Sequence, residues 1–238
     1  MGKIIGIVPS FPAGAPAESA MEDFYRLGNN YIKAVTKAGG TAIGLAPADL
    51  WLAEDALSLC DGFLVQGGAE FYPYHFQVIH HAVTTGKRYL GICLGEQLIY
   101  AYFRLKQLVE AQGYEGDLVT AICSYLQAHG PQFSVLQPIP NHRTPHPPRG
   151  CEEQAKHDVT IEPGTLLHRV VGRDTISIAT FHSLHIPQTQ TLLPINAWSA
   201  LGDGVVEGTE YGENILGVQG HPEIDDLLPE LFTFLTKN

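Results

Sequence analysis

The first hundred residues alternate between short apolar runs and segments with helical spacing, and this pattern most restricts the fold. The apolar runs are typical of strands covered on both faces, and they are KIIGIV (3–8), TAIGLA (41–46), GFLVQ (62–66) and RYLGIC (88–93). Helices are predicted between and after them, at 21–38, 49–59, 74–85 and from Leu94 towards Gln127. Strands that alternate with helices over short connections are typical of parallel sheets. The sequence therefore predicts an α/β fold with a mainly parallel central sheet flanked by helices.

The second half of the chain is less regular. Six prolines lie between residues 129 and 157, and they predict an irregular surface excursion that acts as a lid or a rim. Short strands with one helical turn are expected after it, and a last helix is predicted at 225–236. Since no internal repeat and no second domain is visible, we expect a single domain over residues 1–238.

The composition argues against several classes of protein. Of the 238 residues 16% are charged, and the formal net charge is −11. Because nucleic-acid binding needs a basic face, no nucleic-acid partner is expected. No apolar run approaches the length of a membrane span, and the run near the N-terminus is too short for a signal peptide core. We therefore expect a cytoplasmic protein that does not associate with a membrane.

The cysteines and histidines do not indicate a metal site. The four cysteines are widely and irregularly spaced, which matches neither a zinc site nor a dense disulfide framework. Reduced thiols are the simpler interpretation. His142 and His146 lie in the proline-rich segment without acidic or cysteine neighbours, so no metal and no cofactor is predicted.

Cys93 lies where the run RYLGIC meets the next helix, with Gly91 and Gly95 two residues away on each side. This G-x-nucleophile-x-G form is typical of a nucleophile elbow, in which side chains at the flanking positions would collide with the neighbouring strand and helix. The turn also places the sulfur near the first N–H groups of the helix, whose partial positive charge favours a thiolate. The alternative is a buried cysteine that packs as a small hydrophobic residue.

His221 and Glu223 are candidates for the base and for the group that orients it. They follow the strand-like run ILGV (215–218), and Pro222 between them disfavours helical geometry at His221. In an extended chain residues two apart project to the same side, so Glu223 can bind one imidazole nitrogen while the other faces a thiol. Catalytic groups collect at the carboxyl ends of strands in open α/β sheets. A surface histidine beside a turn proline is the alternative.

The third candidate segment is the turn Gly67-Gly68, at the end of the run LVQ. Glycines expose backbone N–H groups without obstruction by side chains. One of these N–H groups, together with that of Leu94, is a candidate oxyanion hole. An ordinary glycine turn is the alternative.

Taken together, the motifs resemble those of class I glutamine amidotransferases, and within them the γ-glutamyl hydrolase-type branch. GICLGEQ resembles the nucleophile motif of the family, GVQGHPE its His-Pro-Glu motif, LVQGGAEFYP its Gly-Gly turn and FHSLH (181–185) its Asn-Ser-x-His stretch. The similarity extends from the first predicted strand to the last helix and fails mainly between Tyr102 and Lys156. The resemblance implies a flavodoxin-like α/β fold.

The resemblance also implies roles for individual residues. Cys93 would be the nucleophile, His221 the base and Glu223 the carboxylate that orients it. The backbone N–H groups of Gly68 and Leu94 would bind the oxyanion.

The same resemblance implies a pocket for the glutamyl part of a substrate. Gln97 matches a glutamine that helps to bind this part, and the stretch that lines the pocket contains Ser183, Leu184 and His185.

Three single residues depart from the pattern of the family. Glu96 stands where Met or His is usual, His182 where Asn is usual, and Gly220 where this branch usually has Trp. In addition, residues 102–117 replace a Gly-Gly-Thr-Leu segment that often follows the elbow helix. The motif residues of the triad are unchanged, so these departures bear on the leaving group rather than on the chemistry.

The resemblance leads to a predicted activity. We expect a cysteine-dependent hydrolase of γ-glutamyl amides that forms a γ-glutamyl thioester and releases glutamate and an amine. The expected partner is the small-molecule substrate, and a homodimer is an expectation at the level of the family. One alternative is a glutaminase subunit that delivers ammonia to a separate synthase chain, and another is a non-catalytic protein that binds a γ-glutamyl ligand.

Overall fold

In the computed structural model, which describes residues 2–10, 24–130, 135–139, 152–188, 192–224 and 226–237, nine strands form one sheet. The elements in chain order are β1 (Ile4–Val8), α1 (Asn29–Lys37), β2 (Thr41–Gly44), α2 (Glu54–Leu59), β3 (Gly62–Val65), α3 (Pro73–Thr85), β4 (Arg88–Ile92), α4 (Leu94–Ala111), α5 (Leu118–His129), β5 (Gln137–Pro138), a 3-10 helix (Glu152–Ala155), β6 (Lys156–Ile161), α6 (Leu166–Val171), β7 (Thr175–Ala179), β8 (Leu184–His185), β9 (Ile195–Ser199), β10 (Val206–Tyr211), β11 (Ile215–Val218) and α7 (Pro229–Thr236).

Of the described strands, five form the parallel half of the sheet, in the order β2-β1-β3-β4-β11. Helices α1 and α7 cover one face of this half, and α3 and α4 cover the other. The strand β3 shows why its sequence is apolar throughout, since Phe63 and Val65 belong to one core and Leu64 to the other. The predicted α/β fold, with a mainly parallel central sheet flanked by helices, is confirmed.

An antiparallel extension continues the sheet beyond β11. Among the described residues it comprises β10, β9, β6 and β7 in this order, each antiparallel to its neighbour. The sequence predicts short strands here but not their direction, because the apolar pattern of a strand does not depend on the direction of its partner. The extension brings the end of β7 to the end of β11, where Ala179 accepts a hydrogen bond from the backbone N–H of His221 (2.8 Å).

Three predicted helices begin later than the sequence pattern indicates. In the segment predicted as helix at 21–38, residues 24–28 are not helical and residues 21–23 lie outside the described ranges. The helix predicted at 49–59 begins at Glu54, since Asp49 and Leu50 have positive φ angles. The last helix begins at Pro229, a residue whose ring favours the first helical position.

The proline-rich segment is described only in part, because residues 131–134 and 140–151 lie outside the described ranges. Its described portion contains β5, which pairs with β8, and the 3-10 helix. The last two residues of the predicted excursion, 156 and 157, belong to β6. That the segment acts as a lid or a rim stays a prediction.

Across the described ranges, no helix combines the length and the apolar character that a membrane crossing requires.

Two glycines allow α4 to pack directly against the sheet. A Cβ atom on Gly91 would collide with the carbonyl oxygen of Gly95, and one on Gly95 would collide with the carbonyl oxygen of Val65. Because both obstacles are backbone atoms, no rotation of a side chain relieves the collision. Glycine at these positions therefore fixes how closely the helix approaches β3 and β4.

We expect Gly95→Ala to lower the free energy of unfolding by at least about 3 kcal/mol, because the backbone of α4 must move away from Val65. The matched control is Gly164→Ala, at a position with a positive φ and no atom within 4 Å of the added Cβ. That change should cost only about 1–2 kcal/mol. Urea denaturation followed by circular dichroism measures both variants, and equal losses would contradict the prediction.

Candidate active site

Cys93 lies in the turn between β4 and α4, with φ 54° and ψ −104°. A non-glycine residue in such a conformation costs about 1–3 kcal/mol and is found mostly at functional sites. Hydrogen bonds hold the strained backbone on both sides. The N–H of Cys93 donates to the Val218 carbonyl (2.9 Å), and its own carbonyl accepts from the N–H groups of Glu96 and Gln97 (3.1 Å each). The side chain is directed to the carboxyl edge of the parallel strands, where it is 8% exposed.

His221 and Glu223 lie at the same edge, because β11 is the parallel neighbour of β4. Nδ1 of His221 is 2.7 Å from Oε1 of Glu223, and both side chains are largely buried. An ionised carboxylate can only accept, so Nδ1 carries a proton and donates it to this bond. Nε2 is left as the nitrogen that can exchange a proton with another group.

Gly67 is the point at which the candidate groups meet. A Cβ atom on this glycine would lie 3.0 Å from Cε1 of His221 and 3.5 Å from Cβ of Cys93. Burial alone would lower the pKa of His221, but the charge of Glu223 and interactions with the Cys93 sulfur outweigh it and raise this pKa well above its usual value. The structure thus brings Cys93, His221 and Glu223 together.

Gly68 and Leu94, the two predicted oxyanion residues, are in contact. A Cβ atom on Gly68 would lie 2.8 Å from Cδ2 of Leu94, so the glycine turn packs directly on the first residue of α4. The first N–H groups of a helix have no partner within the helix. That both N–H groups bind an oxyanion stays a prediction.

Among the predicted substrate-binding residues, Gln97 and Leu184 are brought together. The Nε2 group of Gln97 donates both of its hydrogens, to the Leu184 carbonyl (3.0 Å) and to Oε1 of Gln219 (2.8 Å). Because a backbone carbonyl can only accept, the orientation of this amide is fixed, and Oε1 of Gln97 takes no part in these two bonds. That Gln97 binds a ligand stays a prediction. His185 pairs with Gln137 in the short ladder between β8 and β5.

Ser183 precedes this ladder and is exposed, with its carbonyl accepting a hydrogen bond from the N–H of Ile139 (2.9 Å). That Ser183 lines a substrate pocket stays a prediction.

A network of buried ionisable groups lies beside these residues, and the sequence did not predict it. Oε1 of Glu207 is 3.4 Å from Nε2 of His157 and 3.6 Å from Nε2 of His182. His182 also shares the Leu184 carbonyl with Gln97, since its Nδ1 lies 2.9 Å from that oxygen. The only sign of this network in the sequence was that His182 stands where the family usually has Asn. The other members, His157 and Glu207, lie in β6 and β10, which are distant from it in the chain.

Glu96 is fully buried next to this network. Its Oε1 accepts a hydrogen bond from the hydroxyl of Thr209 (3.1 Å). The pKa of Glu96 is raised to about 8, mainly by burial, which outweighs the opposite effect of the bond from Thr209; the nearby charge of Glu207 also raises it. At neutral pH this carboxyl is therefore largely protonated.

The structure explains why Gly220 stands where the branch usually has Trp. A Cβ atom there would lie 2.7–2.8 Å from three carbons of Ile178, so this side chain fills the space that a larger residue would need.

The remaining described cysteines, Cys60 and Cys123, are free thiols away from the candidate site. Burial raises the pKa of both thiols, that of Cys123 to about 11. Within the described ranges, no group of three or more His, Cys, Asp or Glu residues is arranged to hold a metal ion.

Comparison with known proteins identifies the family. The sequence profile of the peptidase C26 family matches residues 3–87 and 74–223, which together make up most of the chain. The chain therefore belongs to the peptidase C26 family, whose proteins are class I glutamine amidotransferase-like, and this supports a hydrolase-type enzyme. No curated protein matches the sequence.

Solved structures of glutamine amidotransferases share the fold. The glutaminase domain of CTP synthase from Trypanosoma brucei, with bound acivicin, has a TM-score of 0.64 at 17% identity, over 98% of this chain and 92% of that one. A glutamine amidotransferase from Thermotoga maritima has a TM-score of 0.55 at 15% identity (93% and 76%). One from Methylobacillus flagellatus has a TM-score of 0.53 at 15% identity (94% and 71%).

We expect iodoacetamide to modify Cys93 at pH 6.5 at least ten times faster than Cys60 or Cys123, because His221 beside the Cys93 sulfur can take the thiol proton, whereas burial raises the pKa of the other two thiols. His221→Asn should slow the modification of Cys93 at least tenfold. Peptide mass spectrometry at timed intervals measures the rates.

His168→Asn is the matched control, since His168 forms a similar pair with Asp174 (2.9 Å) that lies at the surface. If Cys93 is modified equally fast in the native chain and in a folded His221→Asn variant, the assignment of His221 as the base for Cys93 is wrong.

Glu96 gives a separate prediction about stability. The folded state holds a proton on Glu96 that the unfolded chain releases above pH 4.5, so this group makes stability fall as the pH rises from about 4.5 to about 8. We expect Glu96→Gln to remove up to about 1.4 kcal/mol of this fall per pH unit. Thermal unfolding at pH 5 to 8 measures it. Glu115→Gln, at an exposed position, is the control, and parallel curves for Glu96→Gln and the native chain would refute the prediction.

Proposed function

We propose that the protein is a cysteine-dependent hydrolase of γ-glutamyl amides. The observation that carries the proposal is the convergence of Cys93 and the His221 imidazole on Gly67, with Glu223 bound to the far side of that imidazole. A nucleophile, a base and a group that orients the base are the parts required for acyl transfer. Membership of a peptidase family agrees with this class of reaction.

In the proposed first step, the thiolate of Cys93 attacks the side-chain carbonyl carbon of the γ-glutamyl group. The carbonyl oxygen becomes an oxyanion that accepts hydrogen bonds from the N–H groups of Gly68 and Leu94. His221 gives a proton from Nε2 to the leaving nitrogen, the C–N bond breaks, and the free amine departs. A γ-glutamyl thioester on Cys93 remains.

In the second step His221 takes a proton from water, and the resulting hydroxide attacks the thioester carbonyl. The C–S bond breaks, glutamate leaves, and the Cys93 thiolate and protonated His221 are restored. Acid–base catalysis of this kind contributes typically ~10²–10⁴-fold, so positioning and oxyanion stabilisation must supply most of the remaining rate enhancement.

The glutamyl part of the substrate is proposed to lie against Gln97 and β8. Since Oε1 of Gln97 is available as an acceptor, it suits the α-ammonium group of a glutamyl ligand. Leu184 and His185 would line the pocket through their backbone, and the exposed hydroxyl of Ser183 would face the solvent side of the ligand.

A glutaminase subunit that delivers ammonia to a separate synthase chain is the second candidate. The observation that favours it is the similarity to solved structures of glutamine amidotransferases and of the glutaminase domain of CTP synthase. These matches cover 93–98% of this chain. An assay of the purified chain alone against glutamine and a panel of γ-glutamyl amines distinguishes the two functions. Turnover only of glutamine, and only with a synthase added, would favour the subunit.

We expect Cys93→Ala to lower kcat/KM for the best γ-glutamyl amide at least about 10³-fold, since the proposed thioester forms on the Cys93 sulfur. Rapid acid quenching of the native enzyme should trap one γ-glutamyl group on the peptide that contains Cys93. Cys123→Ala, which removes a free thiol elsewhere, should leave both measurements unchanged. If Cys93→Ala keeps native activity, the enzymatic assignment fails and a ligand-binding protein becomes the better description.

A further inference from the structure

The hydroxyl of Tyr31 is a buried group at the candidate site that the mechanism above does not use. Tyr31 lies in the first turn of α1 and is 7% exposed. Its oxygen accepts a hydrogen bond from the N–H of Gly67 (3.2 Å). A Cβ atom on Gly67 would lie 3.3 Å from this oxygen, and the same point is 3.0 Å from Cε1 of His221. The phenol therefore reaches the place where the candidate catalytic groups meet.

The proton of this hydroxyl has a suitable acceptor nearby. Because the oxygen accepts from Gly67, the O–H is free to donate elsewhere. Oε1 of Glu223 is occupied by His221, whereas Oε2 is buried and has no hydrogen-bond partner among the described residues. Burial raises the pKa of Tyr31 well above its usual value, and the neighbouring charge of Glu223 raises it further. The phenol thus stays protonated and can act as a donor to this carboxylate.

The segment that precedes Tyr31 is bound by Gln66, the residue between β3 and the glycine turn. Gln66, which follows β3 and precedes Gly67, accepts a hydrogen bond from the N–H of Gly28 (2.9 Å) and donates to the Arg26 carbonyl (2.6 Å). A Cβ atom on Gly28 would lie 2.8 Å from the ring of Tyr31, so a side chain there would displace the ring. These bonds hold residues 26–28, which precede α1, next to Gly67 independently of the hydroxyl of Tyr31.

We propose that Tyr31 is a positioning residue that joins Glu223 to the Gly67–Gly68 turn, with its O–H donating to Oε2 of Glu223 and its oxygen accepting from Gly67. The first bond fixes the rotation of the carboxylate and thereby of His221. The second restricts a glycine pair that otherwise has wide conformational freedom, and so orients the following N–H of Gly68. This role rests on the proposed function, since it concerns the base and the oxyanion site of that reaction.

Tyr31→Phe tests the proposal because it removes only the oxygen. We expect kcat to fall about tenfold while KM stays within about twofold, since the bonds of Tyr31 lie on the triad side and not on the Gln97 side. Tyr100→Phe is the matched control: its hydroxyl is buried in α4 and has no hydrogen-bond partner among the described residues. The melting temperature should change no more in Tyr31→Phe than in the control.

The rate of iodoacetamide modification of Cys93 at pH 6.5 provides a readout that needs no substrate. We expect Tyr31→Phe to slow it at least threefold, because a less ordered Glu223 holds His221 less firmly beside the sulfur. An unchanged modification rate overturns the proposal, and so does a loss of kcat/KM that comes from KM alone. If the native chain hydrolyses no γ-glutamyl amide, the proposed function fails, and the modification rates still decide the role of Tyr31.

Discussion

The conformation of Cys93 is the constraint on which the rest of the site depends. A side chain at positive φ is unfavourable by itself, so the surrounding structure must hold it. Backbone bonds to Val218 on one side and from α4 on the other do so, and Gly91 and Gly95 let the helix approach closely enough to make them. The turn places Cys93 between the end of β4 and the start of α4. Any change that lets α4 move away would remove bonds that hold this conformation.

The parallel pairing of β4 with β11 brings the imidazole to this sulfur although the two residues are distant in the sequence. Because parallel strands end at the same edge of the sheet, Cys93 and His221, which follow their strands, lie at one edge. The antiparallel extension adds a second restraint, since Ala179 at the end of β7 binds the backbone of His221. Both the parallel and the antiparallel half of the sheet thus fix the position of the His221 imidazole, which depends on the register of the strands in each half.

Local patterns in the sequence predicted the parallel half and the segments of the site, because strands, the elbow and the His-Pro-Glu turn are each encoded within a few residues. The late starts of α1, α2 and α7 were missed because apolar spacing does not reveal backbone angles. Gly28 before α1 is extended, Asp49 and Leu50 before α2 have positive φ angles, and the ring of Pro229 favours the first position of α7. The Glu207 network and Tyr31 were missed for another reason. Their contacts join segments far apart in the chain, and no single stretch contains both partners.

The ladder between β5 and β8 connects the proline-rich segment to the residue that holds Gln97. Pro138 is opposite Leu184, whose carbonyl binds both Gln97 and His182. A change in the length of the chain around β5 is therefore expected to move the carbonyl that binds Gln97 and His182, whereas the backbone bonds of Cys93 and His221 come from β11, α4 and β7. If Gln97 holds a substrate as proposed, this ladder allows the preference for a substrate to diverge while the proposed nucleophile and base keep their places.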